Sequence, residues 1–233
     1  MSLFGEPKLR LLGDTGILFE YGDAIDAEIN RKVRSMTLAI DRNTPPGVIE
    51  VTPTYRSILI MYDPSVTGPS QLVAEMVSLE SQLEEVEIPP PRIVEIPVLY
   101  GSEMGPDITF VADNAGLSVE EVIQLHTEPC YQIYMIGFTP GFAFLGGLPD
   151  ALTTPRLSTP RSHVPAGSVG IANDQTGMYP VDSPGGWQLI GRTPLRLFDP
   201  LREEPFLYQA GDQIKFQGIS RAEYDVLLGQ GAA

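Results

Sequence analysis

The chain has 233 residues, 42% hydrophobic and 19% charged, a globular composition long enough for one large domain or two small ones. Its net charge of −15 argues against nucleic acid and anionic membrane surfaces as partners. No apolar run reaches the roughly 18 residues of a membrane span, and residues 1–7 carry no secretory pattern. Cys130 stands alone and closes no internal disulfide, so a cytoplasmic, reducing home is expected. Two histidines and one cysteine are too few for an ordinary zinc site, and no metal is expected.

In chain order, residues 10–12 and 16–21 read as a strand pair turning at Gly13 and Asp14. Ile25, Ile29, Val33, Met36 and Ile40 then recur at helical steps, with Asp23 or Asp26 favouring the N-terminal end. Pro45, Pro46 and Gly47 stop that helix. Residues 48–51 and 57–62 read as strands. Leu72, Val73, Met76, Val77 and Leu83 mark a second apolar face, starting near Ser70. A strand over 92–98 closes the set. This order suggests a small split βαβ sandwich with helices on one face of a sheet. Pro89, Pro90 and Pro91 form a stiff connector, which places one domain at residues 1–90 and a second at 91–233.

The second half opens with a short helix near 107–114. Ser118 and Glu121 have capping-box spacing, and Leu117, Val122 and Leu125 follow as an apolar face that ends near His126. After a strand over 131–136, short strands are expected at 168–172, 188–191, 195–198 and 212–216. Gly/Pro turns separate them at intervals of about ten residues, the pattern of an all-β barrel or sandwich. The tail, 229–233, is expected to fray.

Charge is uneven. From Glu75 to Glu128 there are 12 acids and one base, Arg92, which reads as a solvated face. From Gly137 to Pro200 there are four acids and four arginines, with 19 of the chain's 45 glycines and prolines. That second stretch is therefore built from tight turns and close backbone approaches. It contains no phosphate loop, dinucleotide fingerprint or nucleophile elbow.

Its strongest feature is the uncharged run 136–149. Phe138, Phe142 and Phe144 alternate there with Gly137, Pro140, Gly141, Gly146, Gly147 and Pro149. It reads as a stiff loop offering amides and an apolar wall to a ligand, or as a hydrophobic loop tucked under a barrel. Pro165, Gly167 and Ser168 lie in a turn able to form a nest of amides for an anion, with Ser168 as a hydroxyl donor. Gln175 and Tyr179 offer an amide and a phenol in a turn. Gly185 and Gly186 flank the only tryptophan, Trp187, a pocket wall or a core residue. Arg156, Arg161, Arg192 and Arg196 suit carboxylates and phosphates. His126 is the first choice for proton transfer, or else a cap on helix carbonyls. Cys130 reads as a small buried hydrophobe.

Together these segments resemble the KipI/PxpB family, variously called the 5-oxoprolinase B subunit, allophanate hydrolase subunit 1 or sporulation kinase inhibitor. The matching segments are 125–126, 137–142, 145–149, 154–156, 164–171, 175–177 with Tyr179 and Pro180, 184–191, 198–200 and 211–212. The N-terminal half matches more loosely, through residues 12–14. The resemblance implies an α+β chain: a small N-terminal α/β domain, then a C-terminal cyclophilin-like β-barrel. It implies a non-autonomous component of an ATP-dependent lactam hydrolase that opens 5-oxoproline to glutamate. The implied partners are a KipA/PxpC-like C subunit of carboxyltransferase type and a LamB/YcsF-like A subunit. ATP, with Mg²⁺, would be used by the assembled complex and is not expected on the isolated chain. On this reading His126 and Arg156 are catalytic. Gly137, Phe138, Pro140, Gly141, Pro165, Gly167, Ser168, Gln175, Tyr179, Gly185, Gly186 and Trp187 bind substrate or ATP. The family leaves two alternatives: a component of an allophanate- or urea-type amide carboxylase–hydrolase, or a regulator docking the helices of a histidine sensor kinase.

Overall fold

A computed structural model describes residues 3–83 and 88–231. Met1 and Ser2 of the opening segment, Glu84, Glu85 and Glu87 of the acidic stretch, and Ala232 and Ala233 of the tail lie outside them. The chain forms two compact units, Met1–Pro90 and Pro91–Ala233.

The first unit is one sheet and two helices. Strands β1 (Leu3–Leu12) and β2 (Gly16–Gly22) turn at Gly13, whose φ of 63° suits a residue without a Cβ. Helix α1 (Ala27–Arg42) follows, then β3 (Val48–Pro53), β4 (Ser57–Tyr62) and α2 (Pro69–Glu80). The sheet order is β1-β2-β4-β3, every neighbouring pair antiparallel. β2 and β3, joined by α1, therefore run the same way with β4 between them. The Asp26 side chain starts α1 by accepting from the amides of Glu28 and Ile29, satisfying donors a helix end leaves open. The α1 face of Ile29, Val33, Met36 and Ile40 is buried against Ile17, Phe19, Ile58 and Ile60. At about 1.5–3 kcal/mol for each such side chain, this face holds the helix to the sheet. Ile25 and Val77, expected on the apolar faces, are exposed: Ile25 precedes the first helical turn and Val77 sits on the outer side of α2.

The second unit contains β5 (Ile93–Tyr100), α3 (Ile108–Ala115), α4 (Val119–Thr127), β6 (Tyr131–Ile136), β7 (Ala143–Gly146) and β8 (Arg161–Val164). It continues through β9 (Ser168–Ala172), β10 (Gln175–Met178), β11 (Ser183–Gly185), β12 (Gln188–Arg192), β13 (Gln213–Gly218) and α5 (Arg221–Gly231). Seven strands form one sheet in the order β10-β9-β12-β5-β13-β6-β7. The two edge strands, β7 and β10, lie against each other, so the sheet is a nearly closed barrel. β8 and β11 form a separate two-stranded ribbon. The barrel core is filled by Ile96, Val98, Ile133, Val169, Ile171 and Ile214, none of them exposed.

Several expectations are corrected. The strand near 92–98 does not close the N-terminal sheet: β5 is the middle strand of the barrel sheet, parallel to β13 and antiparallel to β12. Residues 195–198 are not a strand; flanking prolines at 194 and 200 remove ladder donors, leaving one bridge between Phe198 and Phe206. The turn expected at Gln175 is strand β10, and the turn falls one step earlier, at Asn173 and Asp174. Residues 229–231 belong to α5 rather than a frayed tail. Cys130 is exposed, in the link between α4 and β6. Among the described residues, no helix is long and apolar enough to cross a membrane.

Candidate functional site

A cleft of about 210 Å³ opens on the second unit between the 137–142 loop, β10 and the β11–β12 connection. Phe138, Phe142, Phe144, Tyr179 and Trp187 wall it, and Arg156, Gln175, Pro184, Gly185 and Gly186 complete the lining. Phe142 is the hub. Its ring meets Phe144 at 5.0 Å, Trp187 at 5.8 Å and Tyr179 at 6.0 Å, all near edge-to-face. Such pairs contribute about 0.5–1.5 kcal/mol each beyond burial, so the wall is rigid.

The glycines let these rings close up. A Cβ on Gly177 would lie 3.1 Å from the Trp187 ring, and one on Gly185 would lie 2.3 Å from the Tyr179 hydroxyl. Phe138 stands on the rim, 78% exposed and in left-handed backbone with φ 68°. An exposed aromatic held in a conformation that disfavours side chains is backbone strain at the rim of the cleft.

Two tethers place Arg156. The Gln188 side chain donates to the Pro155 carbonyl at 2.9 Å, and the Leu157 amide donates to the Gly186 carbonyl at 2.8 Å. Arg156 itself is exposed, and among the described residues no carboxylate pairs with it. The Trp187 strand is pinned from behind. Arg161 pairs with Asp107 at 2.7 Å and also donates to the Trp187 carbonyl, while Asp107 accepts the Leu189 amide at 2.6 Å. Burial raises the Tyr179 phenol above its ordinary range, against a backbone bond from Trp187 and the positive fields of Arg156 and Arg161. The cleft is thus an aromatic slot with a net positive rim, suited to a small planar molecule carrying a negative charge.

His126 is elsewhere. It is fully buried in the barrel, stacked on Phe216 at 4.6 Å. Thr176 Oγ1 donates to the Gly170 carbonyl at 3.1 Å, so it accepts from His126 Nε2–H at 2.7 Å. Nδ1 then carries the lone pair and accepts from the Tyr100 hydroxyl at 2.7 Å. Burial pushes the imidazole down to about 3, so it stays neutral at physiological pH. A direct proton-transfer role does not fit this geometry. What His126 bonds is Thr176, on the strand that carries Gln175 into the cleft and packs Gly177 against Trp187.

The remaining sequence candidates divide. Phe138, Arg156, Gln175, Tyr179, Gly185, Gly186 and Trp187 come together in the cleft. Gly137, Pro140 and Gly141 do not line it but shape the loop that bears Phe138. The Gly137 amide bonds the Phe142 carbonyl, and the Gly141 carbonyl, at φ 82°, accepts from Tyr208 at 2.8 Å. The amide nest expected around Pro165, Gly167 and Ser168 is closed. The Ala166 amide is taken by Asp182, the Gly167 amide by the Tyr179 carbonyl, and the Ser168 amide and hydroxyl by the Pro165 carbonyl. Pro184 also lines the slot, and Gln188 and Asp107 support it from positions that read only as strand and helix. Gly-rich flanks signalled the first; nothing in the local sequence signals the other two. Among the described residues, no three His, Cys, Asp or Glu side chains cluster as a metal site requires.

Two mixed α/β units, the second a nearly closed barrel, carry an aromatic cleft whose rim arginine has no carboxylate partner among the described residues. The chain belongs to the family of carboxyltransferase domains, subdomain C and D, whose profile matches residues 7–208. It is 43% identical over 228 residues to the 5-oxoprolinase B subunit of Bacillus subtilis, covering 93% of this chain and 95% of that protein. Identity to the 5-oxoprolinase B subunit of Escherichia coli O157:H7 is 41% over 210 residues, covering 88% and 93% of the two chains. Urea amidolyase of Saccharomyces cerevisiae is 25% identical over 93% of this chain, which spans only 13% of that protein. Among solved structures, TTHA0988 superposes with a TM-score of 0.80 at 38% identity over 91% of this chain. This chain spans 41% of that one. PH0987 from Pyrococcus horikoshii is 43% identical, covering 93% of this chain and 100% of that one, with a TM-score of 0.56. The curated relatives are thus named as enzymes or subunits of enzymes.

Proposed function

We propose that this chain is the B subunit of a cytoplasmic 5-oxoprolinase, acting with the A and C subunits to open 5-oxoproline to glutamate using ATP. The observation that carries the reading is the 43% identity that runs through 95% of the Bacillus subtilis B subunit. Urea amidolyase, at 25%, is a more distant relative, and an amide-carboxylating system is the weaker reading. We read the barrel as cyclophilin-like, with the aromatic slot as its ligand site.

The slot suits the substrate class. A five-membered lactam is flat and fits between aromatic walls. Its carboxylate matches the unpaired Arg156 fork. Gln175 and the Gly185–Gly186 backbone face the polar edge of the ring. A lactam carbonyl is a poor electrophile, so hydrolysis needs oriented donors and activation by ATP, and the groups that carry out those steps belong to the assembled complex.

The test is ATP-dependent glutamate release from 5-oxoproline by this chain co-produced with the A and C subunits, omitting each in turn. Activity is expected only with all three. In the active complex, Arg156→Gln removes a charge-assisted contact of about 1.5–3 kcal/mol and is expected to raise KM roughly tenfold to a hundredfold. A soluble, assembled complex with no glutamate release would overturn the reading.

A further inference from the structure

A second concavity of about 500 Å³ lies on the same unit, between the 166–167 turn, the end of β12, the 193–200 segment and α5. It shares no lining residue with the aromatic slot. Its polar groups are arranged around Arg192. The Arg192 Nε–H donates to the Ala166 carbonyl at 2.8 Å, which fixes the guanidinium and leaves both terminal nitrogens for other partners. Among the described residues, no carboxylate pairs with Arg192, although the chain's net charge is −15. The other charges here are engaged: Arg196 with Asp199 at 3.1 Å, and Asp182 with the Ala166 amide at 2.7 Å.

The second observation is Tyr224. It is 3% exposed and lines the concavity, yet its hydroxyl has no hydrogen-bond partner among the described residues. Burial raises this phenol; Arg192 and Arg221 pull it down, and Asp225 pushes it up. The ring is packed away, whereas the hydroxyl is not a buried atom and opens onto the concavity, where water or a ligand completes it. Here the open donor and the open guanidinium face one space, walled by Pro194, Leu195, Phe198 and Leu228. The frame is rigid. Gly167, at φ 83°, packs its backbone against the Thr193 carbonyl, where a Cβ would lie at 2.4 Å, and its own carbonyl accepts the Thr193 amide at 2.9 Å.

We propose that this concavity is a binding site for an organic monocarboxylate with an aliphatic or aromatic body, its carboxylate held by Arg192 and the Tyr224 hydroxyl. One unpaired cation with one hydroxyl matches a single carboxylate. A polyphosphate needs several cations, which this site lacks. The apolar walls give the body of the ligand its burial. The proposal does not depend on the 5-oxoprolinase reading, since it uses none of the slot's residues.

The test is a titration of the ¹⁵N-labelled full chain with phenylacetate, phenylacetamide and inorganic phosphate, followed through the Gly167, Thr193 and Tyr224 amides. Phenylacetate is expected to give saturable shifts there, with phenylacetamide and phosphate at least roughly tenfold weaker. Arg192→Gln should weaken phenylacetate by roughly tenfold or more. Tyr224→Phe keeps the buried ring and removes only the hydroxyl, so it tests the site even where Arg192→Gln disturbs the turn, and it should weaken phenylacetate severalfold. The proposal is overturned by absence of saturable shifts at these amides, by phenylacetamide binding equally well, or by Tyr224→Phe leaving affinity unchanged. Phosphate binding as tightly as phenylacetate would overturn the assignment to a carboxylate with an apolar body.

Discussion

His126 illustrates how one buried side chain can tie strand geometry to pH. Folded, it titrates at about 3; unfolded, it returns to about 6.5. Between those values the unfolded chain binds the extra proton, so this residue's contribution to stability falls as pH drops below about 6.5. From pH 7.5 to 5.0 the loss amounts to about 2 kcal/mol. His126→Gln abolishes that titration and is expected to show a correspondingly flatter stability–pH curve, whatever its stability at pH 7.5. Urea unfolding of both proteins at the two pH values measures the difference, and parallel curves would show that His126 titrates normally. Phe138 makes the opposite case. Its left-handed backbone costs about 1–2 kcal/mol in a residue with a Cβ, and its ring is mostly exposed. Phe138→Gly relieves that strain, offset by a similar entropic cost in the unfolded chain. Stability should therefore move by less than about 1 kcal/mol while KM of the assembled complex rises. A large drop in melting temperature would instead make Phe138 a packing residue.

At the scale of elements, spacing between rigid groups decides what a substitution does. Gly185, the last residue of β11, and Gly186, the first after it, are adjacent but meet different surroundings. A Cβ at Gly185 strikes the Tyr179 hydroxyl at 2.3 Å, whereas at Gly186 it meets Pro160 at an ordinary 3.5 Å. Gly185→Ala should cost about 1–3 kcal/mol through overpacking and shift Trp187 fluorescence; Gly186→Ala should be nearly neutral in both measurements. Equal effects at the two positions would show that the slot adapts. The same contrast explains which elements were legible in the sequence. The Ser118–Glu121 capping box and the α1 face carry periodic or capping signals several residues long, and both form. β8, β10 and β11 span only three or four residues, rich in Gly and Pro or carrying His, so no alternation could develop. The aromatic slot showed in composition, as phenylalanines among glycines. The burial of His126 did not, because its partners Tyr100 and Thr176 lie 26 and 50 residues away.

At the scale of the molecule, the topology says which piece of chain carries the site. Every lining residue of the aromatic slot belongs to Pro91–Ala233, and that unit has its own barrel core. Its centre is β5, hydrogen-bonded to β12 on one side and to β13 on the other, with Ile96 and Val98 fully buried. β5 also begins beside Arg92, which pairs with Asp212 at 2.7 Å at the start of β13. A fragment of residues 91–233 therefore keeps the whole sheet and should unfold cooperatively, with the near-ultraviolet signal of a packed Trp187. A fragment starting at residue 102 is only 11 residues shorter but lacks the middle strand. It splits the sheet between β12 and β13, takes Ile96 and Val98 out of the core and leaves the β13 ladder unpaired on that side. It should show no cooperative transition in urea and no near-ultraviolet signal. Cooperative unfolding of the shorter fragment would mean that β5 fills an edge rather than the centre, and the sheet order would have to be redrawn.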